Sequence, residues 1–167
     1  MTTKPEKKLT DLLEEFSSAM LVTRTTDGEL RSRPMALAEV EHDGTIWLLT
    51  ERSSPKIHEI ETNSEVNVSL QSSTKFVSVS GTAMPVDDRM KIEQLWKEPW
   101  KVWFPGGKDD PNLTLLRIRG RRGEYWDNSG MSGIKYLIEA GKAYVSGTQP
   151  DVENDPKIHA KVDLARA

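Results

Sequence analysis

Apolar and polar positions along the chain change period several times, and each change marks an element. Leu9, Leu12, Leu13 and Phe16 fall at i, i+3, i+4 and i+7, the spacing that puts them on one face of a helix. Residues 1–8 ahead of them are polar and read as a flexible N-terminus. From residue 19 the period shortens to that of strands. Residues 19–25 form the first, Asp27-Gly28 supplies a hairpin turn, and residues 30–40 return. Pro34 lies in this second strand and points to an edge or bulge, because proline donates nothing to a ladder. A second turn at His42-Asp43-Gly44 leads into the apolar run TIWLLT, a third strand over residues 45–50.

The pattern then alternates between helix and strand. Residues 54–62 carry Ile57 and Ile60 on one helical face. Residues 65–70 alternate, and so do residues 76–84, with Phe76, Ser78 and Ser80 on one side and Val77 and Val79 on the other. Residues 87–98 read as a helix ended by Pro99, and FPGGKDDPN as a turn. Residues 113–126 form a long strand with a break at Gly120 or Gly123, and residues 134–144 a last short helix. The segment from Gly147 is polar, contains prolines and lacks periodicity, and is expected to be a mobile tail over 147–167. About six short strands joined by hairpin turns favour a small antiparallel barrel over a doubly wound parallel sheet. The predicted class is mainly β with added helices, one domain over residues 9–146.

Composition narrows the possible chemistry. The 167 residues contain 23 Lys and Arg, 26 Asp and Glu, and no cysteine. A net charge of −3 gives no general attraction to nucleic acid or anionic membrane. The absence of cysteine removes disulfides, thiolate metal sites and cysteine nucleophiles, and fits a reducing cytoplasm. No stretch approaches the length of a membrane span. His42, His58 and His159 are far apart and match no metal-ligand spacing. A soluble cytoplasmic protein is expected, with no metal, nucleic-acid or membrane partner.

One stretch, LLTERSSPKIHEI, combines structure with chemistry. Pro55 suits the first position of a helix, Ser53 or Ser54 can cap it, and Lys56 adds a positive charge. Helix starts carry unpaired N–H groups and a partial positive charge, so this one is either a plain capped helix or an anion site. Arg31 and Arg33, two apart on the preceding hairpin, share a strand face and offer planar forks suited to phosphate. Their alternative role is a solvated pairing with Glu29 or Glu39.

The ordered set Arg33-Pro34-Met35, Leu49-Thr50, Ser54 and Lys56, followed by Glu124-Tyr125-Trp126-Asp127, resembles the flavin-binding signature of the pyridoxamine 5′-phosphate oxidase-like split β-barrel family. The SPK helix start and EYWD ending are similar to its general stress protein 26-like branch. The resemblance spans roughly residues 5–145. It implies a six-stranded antiparallel split β-barrel and a homodimer with FMN in clefts between subunits. By matching positions, Arg33 and Lys56 hold the FMN phosphate with help from Ser54. Pro34, Met35, Leu49 and Thr50 line the flavin, Phe76 approaches the ring from a further strand, and Trp126 comes from the second subunit. The family leaves FMN, FAD and a deazaflavin such as F420 open. It implies a flavin-dependent oxidoreductase with a small electron donor such as NAD(P)H, or alternatively a non-catalytic flavin module acting as store, sensor or stress-response partner. In the true oxidase an Arg-x-His pair follows the EYWD-like motif and grips the vitamin B6 substrate. Here those positions are Ser132 and Ile134, which argues against that activity.

The remaining candidates are local. Trp96, Trp100 and Trp103 have helical spacing interrupted by Pro99, so Trp103 is a flavin-site candidate on the turn that edges a cleft. Lys108 lies in the glycine-rich turn, which lacks the spacing of a phosphate-cradling loop, and is a minor candidate to approach a ligand. Arg117, Arg119 and Arg121 share a strand face and are read as a surface balanced by acidic neighbours. No side chain stands out as a proton-transfer catalyst.

Overall fold

In the computed structural model, residues 4–147 and 155–165 are described. The chain runs α1 (Lys4–Glu14), β1 (Ser18–Arg24), β2 (Leu30–Val40), β3 (Ile46–Glu51), α2 (Pro55–Thr62), β4 (Glu65–Gln71), β5 (Lys75–Val86), α3 (Arg89–Leu95), a 3-10 turn (Glu98–Val102), β6 (Leu113–Asp127), α4 (Gly130–Ser146) and β7 (His159–Asp163). The strands pair antiparallel in the order β3-β2-β1-β4-β5-β6-β7, and a further β3–β6 pairing closes the first six into a barrel. The expected architecture of a six-stranded antiparallel barrel with added helices is therefore present.

Strand β6 has two partners on one edge, used in succession. Its first half, Leu113 to Ile118, pairs with β3, and its second half, Arg122 to Trp126, pairs with β7. The change of partner falls at Gly120, beside a register shift against Ser80 and Gly81 of β5. Glycine is needed there for space. A Cβ at Gly81 would stand 2.0 Å from the Arg119 carbonyl oxygen, and one at Gly120 would stand 2.7 Å from the Leu164 side chain. The break expected at Gly120 or Gly123 is this bulge, and the strand continues through it.

Two apolar clusters share β3. Ile46 and Leu48 face the barrel interior with Leu21, Val68, Val79, Leu116, Ile118 and Tyr125, sealed by Leu9, Leu12 and Leu13 of α1. Trp47 and Leu49 point the other way, into a second cluster with Ile92 of α3, Trp100, Leu113 and Leu115. This double burial explains the unbroken apolar run TIWLLT, since a strand covered on both faces has no polar side to alternate with. The second cluster fixes the 3-10 turn against β3 and so sets one wall of the cleft described below.

Pro34 behaves as its chemistry requires. Strand β2 pairs with β3 only as far as Ala36–Leu49, so Pro34 lies beyond the ladder on that side, while its other side faces Met20 of β1.

Several boundaries differ from the sequence expectation, α4 among them, which spans Gly130–Ser146 and not a short helix over 134–144. Helix α1 begins at Lys4, not after residue 8, because Lys8 reaches the buried Asp127 carboxylate and anchors the first turns; residues 1–3 lie outside the described residues. The segment 147–167 is not irregular throughout. Residues 159–163 add β7 to the sheet, with Val162 and Leu164 buried, and residues 148–154 and 166–167 lie outside the described residues. Helix α3 is shorter than residues 87–98, since Asp88 caps it by accepting from the Lys91 N–H at 2.9 Å and Trp96 already leaves helical geometry.

Candidate functional site

The loop from β3 into α2 is held before any ligand is considered. Asn112 accepts from the Ser53 N–H at 3.0 Å, donates to the Ser53 hydroxyl at 2.9 Å, and accepts at its own carbonyl from the Arg52 N–H at 2.6 Å. Ser53 is thereby committed to scaffold. Ser54 occupies the N-cap position with extended backbone, yet its hydroxyl makes no capping bond. It accepts instead from Lys56 Nζ at 2.6 Å, and Thr50 accepts from the same ammonium at 3.0 Å.

Lys56 is the cation of a cleft of about 520 Å³. One wall is strand: Pro34, Met35 and Ala36 of β2, Leu49, Thr50 and Glu51 of β3, with Ser17 and Ser18 at the start of β1. The facing wall is Pro99, Trp100, Trp103 and Phe104. Met35 and Leu49 have buried side chains that belong to the core, so Met35 meets the cleft chiefly through backbone. Trp100 is packed edge-to-face on Trp96 at 6.0 Å and anchors this wall, whereas Trp103 is 73 % exposed at the rim. The result is a slot with an apolar, aromatic body and a polar end at Thr50, Ser54 and Lys56.

Glu51 lines the cleft, but no carboxylate among the described residues is in ion-pair contact with this polar end. Among the described residues Lys56 hydrogen-bonds two neutral hydroxyls and forms no ion pair. Burial, with the nearby Arg33 charge, pushes its ammonium below the ordinary value, against the opposing pull of Glu51 and Glu59. A half-buried ammonium in this state gains most from an incoming anion.

Arg33 does not line the cleft. Its guanidinium donates to Thr23 Oγ1 and, at 2.8 Å, to Glu59 Oε2. Arg31 reaches the other oxygen of the same carboxylate at 3.1 Å. Both arginines share a face as their spacing predicts, but their acid is Glu59 of α2, not Glu29 or Glu39; Glu39 is bound to Lys91 at 2.7 Å. Burial pushes the Glu59 carboxyl up, but the bonds from Thr23 and Arg33 and the charges of both arginines outweigh it and hold the group below the usual carboxylate range.

Phe76 and Trp126 also stand apart from the cleft. They face each other across β5 and β6, and Trp126 stacks on His159 at 5.1 Å. The ladder puts Pro34, Met20, Ser69, Ser78 and Glu124 in one cross-strand row. Phe76 and Trp126 lie two residues along from Ser78 and Glu124, so they share the outer face on which the cleft opens. They are separated from β1 by β4 and by roughly 10 Å or more, at about 4.8 Å per strand.

Of the ten residues singled out in the sequence, the structure gathers Pro34, Met35, Leu49, Thr50, Lys56 and Trp103 around one cleft and places Ser54 on Lys56. It sets Arg33 behind that end, and Phe76 and Trp126 outside it. Lys108 pairs with Glu93 at the surface, Arg121 with Glu65, and Arg117 donates to the Met84 sulfur. Sequence reading missed Glu59, Ser17, Ser18, Pro99 and Phe104. Only Glu59 left a signal, being a carboxylate one turn after Lys56 on the face that carries Ile60.

Comparison with known proteins places the chain in a known family. Residues 4–151 match the family model described as pyridoxamine 5′-phosphate oxidase like. General stress protein 26 of Bacillus subtilis is 32 % identical over 119 residues, covering 68 % of this chain and 81 % of that protein. Protein bli-3 of Neurospora crassa is 33 % identical over 129 residues, 68 % of this chain but only 62 % of its own length. The crystal structure of a general stress FMN/FAD binding protein from Xanthomonas citri superposes with a TM-score of 0.64 at 29 % identity, covering 76 % of this chain and 91 % of that one.

Proposed function

The chain belongs to the pyridoxamine 5′-phosphate oxidase-like family, and from that premise we propose that its cleft binds FMN. The observation that carries the proposal is Lys56, a partly desolvated cation that forms no ion pair among the described residues, at the polar end of an aromatic-walled slot. A phosphate monoester supplies the missing charge, and the planar body of a flavin suits the space between β2–β3 and the Trp100–Trp103 wall. Lys56, Ser54 and Thr50 would hold the phosphate. Pro34, Met35, Leu49 and Trp103 would border the remainder of the cofactor. Kinship to a general stress FMN/FAD binding protein supports a flavin; the single compact polar end favours FMN over FAD.

Bound FMN supplies hydride and electron chemistry, while the chain supplies binding, orientation and shielding from water. The reading is a stress-type flavin-dependent redox protein using a small donor such as NAD(P)H. It is not a pyridoxamine-phosphate oxidase, because Ser132 and Ile134 stand where the substrate grip is needed, and Ile134 is half exposed with no polar group to offer. We further propose a homodimer. Met20 and Phe76 are partly exposed on the outer face that bears the cleft mouth, and α4 presents Ile134, Leu137, Ile138 and Tyr144 to solvent. In a pair, Phe76 and Trp126 of one subunit would close the cleft of the other.

The test is direct. Purified protein titrated against FMN should quench its fluorescence with one site per chain, and light scattering should give twice the chain mass. Absence of quenching refutes the flavin assignment, and a monomer that still binds FMN tightly refutes the shared cleft. Rapid mixing of the flavin-loaded protein with NADH or NADPH separates a redox enzyme from a store or sensor.

A further inference from the structure

Glu59 is a buried carboxylate close to the cleft, and it is not among the residues that line it. It is 5 % exposed, on the second turn of α2, one turn beyond Lys56. Its Oε2 accepts from the Thr23 hydroxyl at 2.6 Å and from Arg33 at 2.8 Å, while Arg33 also donates to that same hydroxyl. The three groups form a closed ring that ties α2 to β1 and β2, and Arg31 braces the free oxygen Oε1 at 3.1 Å. Residue 33 immediately precedes Pro34 on the cleft wall, and its charge is felt at Lys56. Without the carboxylate, two arginines and a lysine would crowd together with nothing to fix the arginine forks or the distance between α2 and β2.

Building on the FMN reading, we propose that Glu59 is a positioning residue for the anion end of the cleft. Through the Thr23–Arg33 ring it clamps the start of α2 against β2, setting where Lys56 and Ser54 stand relative to Pro34. It also fixes the Arg33 fork beneath them. The role is indirect: Glu59 shapes a phosphate site that it never contacts.

The role can be separated from plain structural support. Glu59→Gln keeps volume and loses charge; Thr23→Val keeps shape and loses the bridging hydroxyl. Each is compared with wild type for FMN and for riboflavin, which lacks the phosphate, and for apo-protein melting. Both variants should bind FMN about 10- to 100-fold more weakly while riboflavin changes by less than about threefold. If Glu59→Gln fails to fold, Thr23→Val carries the same test. Equal losses for both flavins, accompanied by lower melting, would show structural support only and overturn the proposal. Unchanged or tighter FMN binding would overturn it too, the latter by showing that Glu59 competes with phosphate for Arg33. A wild-type chain that binds neither flavin brings down the FMN reading and this one together. Normal wild-type binding with an unaltered FMN-to-riboflavin ratio in the variants brings down this one alone.

Discussion

Replacing Lys56 by Met isolates the charge at the cleft's polar end. Met keeps most of the apolar stem and removes the ammonium that donates to Thr50 at 3.0 Å and Ser54 at 2.6 Å. A hydrogen bond to a charged group contributes about 1.5–3 kcal/mol. At 25 °C that corresponds to FMN binding weaker by about 10- to 150-fold, read by fluorescence quenching, with riboflavin nearly unchanged. The apo-protein should respond in the opposite sense. Burial and Arg33 lower the Lys56 pKa from its ordinary 10.5, so at neutral pH the unfolded chain holds that proton more tightly than the folded one. Folding therefore works against this charge. In the wild type that penalty should fade as pH rises from the lowered value toward 10.5. Lys56→Met should melt at the same temperature or higher at pH 7, and should lack that alkaline gain. Equal loss of FMN and riboflavin, or an apo-protein clearly less stable at pH 7, would refute the argument.

Three further outcomes follow from the geometry. Gly81→Ala should cost more than about 3 kcal/mol in urea unfolding or prevent folding, because its Cβ would meet the Arg119 carbonyl oxygen at 2.0 Å, inside any tolerable contact. Asp127 is buried and held below its ordinary value of 3.8: burial opposes this, but the bonds from Lys8 and Ser129 prevail. Its contribution is present above that value and should be lost as pH falls through the lowered one, and Asp127→Asn, costing about 3 kcal/mol, should flatten this acid limb of the unfolding curve. Trp103→Ala should change apo stability by less than about 0.5 kcal/mol, because the side chain is exposed, yet should weaken both FMN and riboflavin, since in the proposed FMN complex it borders the ring and not the phosphate.

The strands were legible in the sequence wherever one face is buried and a short polar turn separates partners, Asp27-Gly28 between β1 and β2 and Ser72-Ser73-Thr74 between β4 and β5. The β3 run was legible for the opposite reason, an apolar stretch too short for a helix. What escaped depends on distant contacts. Residues 4–8 look like a frayed polar end until Lys8 is seen beside Asp127, 119 positions away. The HAKVD of β7 has too few residues to show a period, and it becomes a strand because β6 offers it a free edge and His159 finds Trp126 and Glu124. In the site, residue type and spacing pointed to Lys56 and the family resemblance to Thr50, Pro34 and Met35; the fold brings all four to one cleft because they lie on neighbouring elements. The partner of Arg33 was not legible, because Glu29 just before its strand and Glu39 on it were as good on charge as Glu59. Folding decided between them by packing α2 against β1, which brings Glu59 to Thr23 and Arg33.

The late position of β6 has a consequence for how the chain is made. The ladders that β6 forms with β3 and β5 are the two that close the barrel, and their partners are separated from it by long stretches of sequence. While the N-terminal two thirds of the chain are being synthesised, β3 and β5 each have an exposed edge, and Trp47 and Leu49 lack half their cover. Closure must await residues 113–127, and such non-local pairing is slow. A chain cut short before β6 should therefore not behave as a smaller version of the barrel. It should present two open strand edges and associate with its own kind. Stalled or truncated products, more than the finished protein, are where aggregation during stress would begin.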